Sequence, residues 1–302
     1  MTSRPEQRIG AGRYRLLSSL GQGGFGEVFL AEGPQGLVAV KVVETASWSE
    51  REYQVFNALM VSEASFLSTL DHPCLPRLRD FFAEASRYFL VMDWVSGQTL
   101  EELVKSQRRL PLEETLEMLE QLLEALEYLH QDFTPPVIFG DLKPANVLRT
   151  YQGRYRLVDL GLATREGSRL TGDFAVYSPP YSPPEQTRGV ASCKSHDIYS
   201  LAATTVYALT GHPPGPITES ATRHSFASQT AESGPLARQR LGQLLTLLLA
   251  GLQQDPAARP STLRPYREAL LRWRQASQDE QEASTDDPAA ILRSLYRASE
   301  GQ

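Results

Sequence analysis

The chain has 302 residues, enough for one two-lobed domain or two smaller ones at roughly 100–200 residues each. A 41% hydrophobic content excludes a long disordered protein, and a formal charge of −6 leaves no basic excess to neutralise nucleic-acid phosphates. Cys74 and Cys193 stand far apart and outside any C-x-x-C spacing, so neither a disulfide framework nor a zinc site is expected.

The first residues, MTSRPEQRIGAGRY, lack the apolar core of a secretory signal, and 1–12 reads as a flexible N-terminus. The longest apolar run, LLTLLLAGL from Leu244, is about half of the ~20 residues a membrane span needs. The expectation is a cytoplasmic protein with no nucleic-acid partner and no direct membrane insertion.

Residues 14–92 alternate in the manner of strands, with Val28, Leu30 and the run LVAVKVV at 37–43 on either side of a Gly33-Pro34-Gln35-Gly36 turn. One helix interrupts them. Ser49 and Glu52 can form its capping box, and Phe56, Leu59, Met60, Phe66, Leu67 and Leu70 follow at helical spacing. A second β pair follows, LRDFF at 78–82 and YFLVM at 88–92. Beyond 95 the pattern turns helical. From Leu112 to His130, Leu116, Leu119, Leu123 and Leu126 form one stripe, and Glu113, Glu117, Glu120, Glu124 and Glu127 form another. That acidic face is most simply a solvated surface. Further helices are expected at 195–210, 236–253 and 261–276, then a polar acidic linker at 276–287 and a short amphipathic tail. A β lobe, a hinge and a larger helical lobe follow from this order.

Three clusters carry chemistry. Gly21-Gln22-Gly23-Gly24-Phe25-Gly26 lets backbone N–H groups approach phosphate oxygens without obstruction by Cβ. The strand-like EVFLA that follows disfavours a dinucleotide-binding fold, which would run into a helix, and no G-K-[ST] closes the loop as in Walker-type NTPases. Lys41, centred in an apolar strand, is costly to bury unless an anion meets it, and Glu63 on the helical segment that follows could orient it. Asp141-Leu142-Lys143-Pro144-Ala145-Asn146 and Leu157-Val158-Asp159-Leu160-Gly161 offer hard oxygen ligands for a divalent cation and a base for a hydroxyl group.

In this order the motifs resemble those of eukaryotic-type serine/threonine protein kinases, particularly the compact bacterial members, over about residues 13–275. The resemblance implies an α+β bilobal fold: an antiparallel five-stranded lobe with one main helix at 13–92, a hinge at 93–97 and a mostly helical lobe at 98–275. The segment 276–302 would lie outside it as linker and tail. It also implies ATP with Mg²⁺, or Mn²⁺ in its place, and protein substrates phosphorylated on serine or threonine. ATP would be bound by Leu20, Gly21, Gln22, Gly23, Gly24, Phe25, Gly26, Glu27, Val28, Ala39, Lys41, Met92, Asp93, Val95 and Leu148. Glu63, nine residues before His72-Pro73, would hold Lys41. Asp141 would be the base, Lys143 the charge-stabilising lysine, and Asn146 and Asp159 the metal ligands. Ser178 and Glu185 would position substrate, and Asp197 and Arg259 would support the loops. The five histidines are assigned structural roles.

Two triplets depart from the family. Phe139-Gly140-Asp141 replaces H-R-D, and Leu160 replaces the Phe of D-F-G. The missing arginine normally reads a phosphate on the activation loop, a pairing worth up to about 4 kcal/mol at 4 Å and an effective dielectric of about 20. Activity is therefore expected not to depend strongly on phosphorylation of Thr164, Ser168 or Thr171. The alternative is a pseudokinase scaffold that binds nucleotide without transfer. A regulatory partner supplied in trans is a further expectation.

Overall fold

The computed structural model of the chain describes residues 7–23, 26–45, 64, 66–160, 163–169, 177–215, 218–230 and 234–285. The smaller lobe is a six-stranded antiparallel sheet, in spatial order β1 (Arg8–Ile9), β2 (Tyr14–Gly23), β3 (Gly26–Gly33), β4 (Gly36–Glu44), β6 (Arg87–Asp93) and β5 (Leu78–Glu84). β1 corrects two expectations, the five-stranded sheet and the flexible N-terminus over its last residues. Arg8 and Ile9 pair with Arg15 and Tyr14, Ile9 is buried, and the Gly10 N–H donates to Glu84 Oε2 at 2.8 Å.

The period of two that marks these strands is what divides the sheet into faces. On one face Ile9, Tyr14, Ala31, Val38, Val40, Val42, Phe89 and Val91 form a closed cluster. Val43, Tyr88 and Leu90 point the other way, into the main core shared with Leu67, Leu70, Cys74 and Leu75. Lys41 alternates with Val40 and Val42, so it leaves the sheet on that second side. The helix expected from Ser49 through Met60, with Glu63, lies outside the described residues.

The larger lobe begins with β7 (Gly97–Thr99) and α1 (Leu100–Gln107). Thr99 and Glu102 cap α1 reciprocally, the Thr99 hydroxyl accepting from the Glu102 N–H at 3.1 Å. Next comes α2 (Leu112–Gln131), whose leucine stripe is buried. Burial of each such side chain contributes about 1.5–3 kcal/mol. The acidic face of α2 is less solvated than expected. Glu127 meets Arg267 and Glu120 meets Arg274, each at 2.5 Å, and Glu114 meets Arg149 at 2.7 Å. Arg267 and Arg274 belong to α7 (Arg264–Thr285), so the chain supplies much of its own basic partner.

Short strands then carry the loops of interest: β8 (Val137–Ile138), β9 (Val147–Thr150), β10 (Tyr155–Leu157) and β11 (Thr164–Arg165). β7, β9 and β10 form one antiparallel sheet, and β8 pairs with β11. A short turn of helix, α3 (Pro184–Thr187), precedes α4 (Lys194–Thr210). α4 is buried on every side, as befits the central post of a helical lobe. Around it stand α5 (Thr218–Gln229), α6 (Pro235–Gly251) and α7. α7 runs on to Thr285, so the segment expected as an acidic linker begins as helix; residues 286–302 lie outside the described residues. Among the described residues no helix is long and apolar enough to cross a membrane.

Candidate active site

The glycine loop joins β2 to β3. Gln22 pairs with Glu27, Gly23 with Gly26 and Gly21 with Val28, after an irregularity at Ser19/Gly21 that re-aims the strand. The two outer glycines differ. Gly26 has φ +134°, and a Cβ there would stand 2.0 Å from the Val42 carbonyl oxygen, so the fold itself demands glycine. At Gly21 a Cβ would meet nothing within 4 Å, so packing does not explain that glycine. Gly24 and Phe25 lie outside the described residues.

The sheet register sets Val28 opposite Lys41 and Ala39 opposite Met92. Met92 and Val95 are buried, while Val28, Ala39 and Leu148 are half-buried and Leu20 is exposed. Asp93, the last residue of β6, pairs with Arg79 at 2.5 Å, and its N–H donates to the Arg77 carbonyl. Leu148 approaches from β9, opposite Thr99 of β7. Lys41 is buried, and its Nζ donates to Asp159 Oδ1 at 2.6 Å. Residues 118 positions apart in the chain thus share one charge pair. Asp159 adopts φ +62°, an uncommon conformation outside glycine that aims its carboxylate back at Lys41.

Asp141 is the centre of the second cluster. Its Oδ1 accepts from Ser178 Oγ at 2.9 Å; its Oδ2 accepts from Lys143 Nζ at 2.7 Å and Asn146 Nδ2 at 3.0 Å. Lys143 also donates to Ser178 Oγ at 2.8 Å, which closes a triangle of carboxylate, ammonium and hydroxyl. Three donors compensate the desolvation of this buried carboxylate. The Val158 N–H donates to the Asn146 carbonyl at 2.8 Å and Val147 pairs with Leu157, which brings Asp159 beside Asn146. Asn146 spends its amide N–H groups on the Asp141 carbonyl and carboxylate, at 2.8 and 3.0 Å, and keeps its oxygen as a donor for a cation. Among the described residues no cluster of three His, Cys, Asp or Glu side chains forms a metal cage. Two oxygen donors suit a magnesium ion that completes its shell with phosphate and water.

One buried carboxylate positions this loop. Asp197, in the first turn of α4, is fully buried and accepts from the Phe139 N–H at 2.9 Å, the Gly140 N–H at 2.9 Å and His130 Nε2 at 2.7 Å. Gly140 takes φ +78°, where glycine is at ease. Its carbonyl accepts from Gln186 Nε2 at 2.7 Å, a contact that sequence reasoning missed because nothing local marks it. Phe139 and Leu160, two of the three residues that depart from the family pattern, both lie in the main core.

Glu185 and Arg259 form a buried two-pronged pair at 2.5 and 2.9 Å. Arg259 also donates to the Gln253 carbonyl at 2.8 Å, and to the Ser195 hydroxyl at 3.1 Å, and lies over the Tyr199 ring. His196 Nε2 stands 3.8 Å from Glu185 Oε1 without a hydrogen bond. Burial pushes the His196 pKa below its ordinary value of 6.5, against the pull of Glu185 and Asp197 and with the push of Arg259. The Ser178 N–H donates to Ser182 Oγ at 2.8 Å, which ties Ser178 to the segment that carries Glu185.

Of the residues expected at the site, Lys41 and Asp159 meet directly, as do Asp141, Lys143, Asn146 and Ser178, and as do Glu185 and Arg259. Glu63, the expected partner of Lys41, lies outside the described residues, as do Gly161 and Thr171.

Comparison with known proteins adds an independent finding. A family model described as the protein kinase domain matches residues 14–271. The serine/threonine-protein kinase PrkC of Bacillus subtilis is 34% identical over 208 residues, 68% of this chain and 31% of that protein. Serine/threonine-protein kinase pkn2 of Myxococcus xanthus is 31% identical over 290 residues, 88% of this chain and 33% of that protein. Serine/threonine-protein kinase D1044.8 of Caenorhabditis elegans is 30% identical over 302 residues, 94% of this chain and 30% of that protein. The chain spans about a third of the length of these curated relatives.

Proposed function

The chain belongs to the protein kinase family, and on that premise we propose that it transfers the γ-phosphate of ATP to serine or threonine hydroxyls of protein substrates. The observation that carries this reading is the triangle of Asp141, Lys143 and Ser178, with Asn146 on the same carboxylate.

Phosphoryl transfer asks the protein for alignment and charge compensation more than for covalent chemistry. Asp141 orients the acceptor hydroxyl and takes its proton as the new O–P bond forms and the bond to the ADP oxygen breaks. Lys143, held between Asp141 and Ser178, offsets negative charge on the transferring group. The backbone of the 21–26 loop would cover the phosphates, and the open space at Gly21 supports that role. Lys41 would bind the α- and β-phosphates, with Glu63 as its expected partner. Asn146 and Asp159 would hold magnesium through their side-chain oxygens, and the ion would offset phosphate charge. Leu20, Val28, Ala39, Met92 and Leu148 enclose the adenine, with Asp93 to Val95 along its edge.

Lysine two residues beyond the base and Ser178 at hydrogen-bond distance from both favour serine or threonine over tyrosine. The first described residues of the activation segment are bonded to β8 and to Ser192. Thr164 and Arg165 pair with Ile138 and Val137, the Thr164 and Ser192 hydroxyls meet at 3.0 Å, and the Gly167 N–H donates to the Ser192 carbonyl at 2.8 Å. These bonds support activity that does not require phosphorylation of the segment.

The test is transfer from γ-labelled ATP, with magnesium, to a generic basic protein, followed by phosphoamino-acid analysis. Label on serine and threonine is the expected result. Measurable ATP binding with no label on any acceptor would overturn the reading and leave a nucleotide-binding scaffold.

A further inference from the structure

An activation segment that works without a phosphate needs some other tie to the smaller lobe, and this inference rests on that reading of the function. We propose that Arg165 is a positioning residue that supplies the tie. Its guanidinium, stacked on Phe66 and Phe133, couples the start of the activation segment to the chain just beyond Glu63.

Three parts of the sequence meet here. The Arg165 guanidinium carbon lies 4.8 Å from the Phe66 ring centre and 5.6 Å from that of Phe133, and Nη1 donates to the Pro135 carbonyl at 3.0 Å. Phe66 and Phe133 meet edge-on at 5.6 Å, and Phe133 meets Tyr128 edge-on at 5.3 Å. Tyr128 stacks on His72 at 5.0 Å, and its hydroxyl accepts the Asp71 N–H at 3.0 Å. A run of rings therefore leads from the segment around residues 66–72, across the end of α2, to the loop before β8, and Arg165 caps it. Among the described residues no carboxylate stands at ion-pair distance from Arg165; ring faces and a carbonyl meet its charge. A planar, weakly hydrated guanidinium suits that role better than an ammonium would.

Placement gives the contact its consequence. Phe66 lies three residues beyond Glu63 in the sequence, and β11 pairs directly with β8, which leads into the Asp141 loop. One side chain thus touches the segment that follows Glu63, the expected partner of Lys41, while its backbone is fixed to the strand that precedes Asp141. A phosphate bridge, where a family member uses one, would join the same two lobes by charge; here the join is built from permanent side chains.

Hydrogen exchange on the full chain tests this without relying on activity, with wild type, Arg165→Ala, Arg165→Lys, Phe133→Leu and the Arg165→Ala/Phe133→Leu double variant. Two sets of amides are read. One is the Glu166 N–H, bonded to the Pro136 carbonyl at 2.7 Å; the other is Ser68, Thr69 and Leu70, bonded to the carbonyls of Ala64, Phe66 and Leu67. Arg165→Ala should speed both sets together by about tenfold, the size of a cation–π stack on two rings. Arg165→Lys should recover part of the protection, and Arg165→Ala should add little in the Phe133→Leu background. The turnover number should fall by a similar factor while the peptide KM stays as in wild type. Faster exchange at Glu166 alone, with residues 68–70 as in wild type, would overturn the coupling. If Arg165→Ala fails to fold, Arg165→Lys and Phe133→Leu carry the same two-segment readout. A wild type that transfers no phosphate would sink the functional reading, and the exchange pattern would still decide this one.

Discussion

The Asp141 loop and the activation segment leave the same small ribbon, β8 with β11, yet different forces hold them. The loop hangs from the fully buried carboxylate of Asp197, which accepts two backbone N–H groups and a histidine. The segment is held by half-exposed hydroxyls, backbone pairs and an arginine on aromatic rings. Removing one partner from a buried charge costs several kcal/mol, whereas single neutral or exposed contacts contribute about 1 kcal/mol or less. The loop proposed to carry the chemistry thus rests on a few strong buried bonds, and the described part of the activation segment on several weaker ones.

The largest effect should come from the loop. Asp141→Asn keeps the hydrogen-bonding shape but loses the base, and the turnover number should fall by about 10²–10⁴-fold with ATP affinity little changed. Steady-state transfer and ATP titration together check it. Loss of ATP binding in step with turnover would mean that Asp141 supports the fold rather than the chemistry.

Glu185→Gln should come next. It leaves the Arg259 guanidinium buried without its counter-charge and should destabilise the domain by about 3–5 kcal/mol. Denaturant unfolding measures this directly. A change below about 1 kcal/mol would place Glu185 among the weaker contacts and blur the contrast drawn here.

His196 offers a smaller and pH-dependent test. Its folded pKa is depressed by burial, so the unfolded chain takes up a proton at a pH where the folded one does not. Its neutral state costs nothing above the ordinary value of 6.5, and stability is lost as the pH falls from there through the depressed folded value. His196→Asn should flatten the fall in melting temperature between about pH 7.5 and about pH 5.5. Burial lowers the His72 pKa as well, so part of the slope should remain. An unchanged slope would remove His196 from the account.

Much of this architecture was legible because it is local. The alternation of LVAVKVV and YFLVM, and the leucine stripe of α2, locate strands and helix within one or two residues. Asp141, Lys143 and Asn146 sit within six residues of one another, so their convergence could be read directly. α1 was missed although Thr99 and Glu102 write a capping box. α5, TESATRHSFASQ, has no apolar stripe and gave no signal. α7 was cut short because QDEQEA reads as acidic and disordered, whereas Gln, Glu and Ala are also good helix formers. Two-residue β1 is below any periodicity. At the site, the contacts of Gln186 with Gly140 and of Arg165 with Phe66 and Phe133 join distant stretches and leave no pattern in the chain.

The central claim is that this fold assembles its site without a phosphate on the activation segment. The most direct measurement is the initial rate of peptide phosphorylation by phosphatase-treated protein, wild type against Thr164→Ala/Ser168→Ala/Thr171→Ala, with Asp141→Asn as the blank. The account predicts rates within about threefold of each other, a difference below about 1 kcal/mol in the barrier, and none above the blank for Asp141→Asn. A triple variant as slow as the blank, or a wild type that accelerates a hundredfold once its segment is phosphorylated, would contradict it.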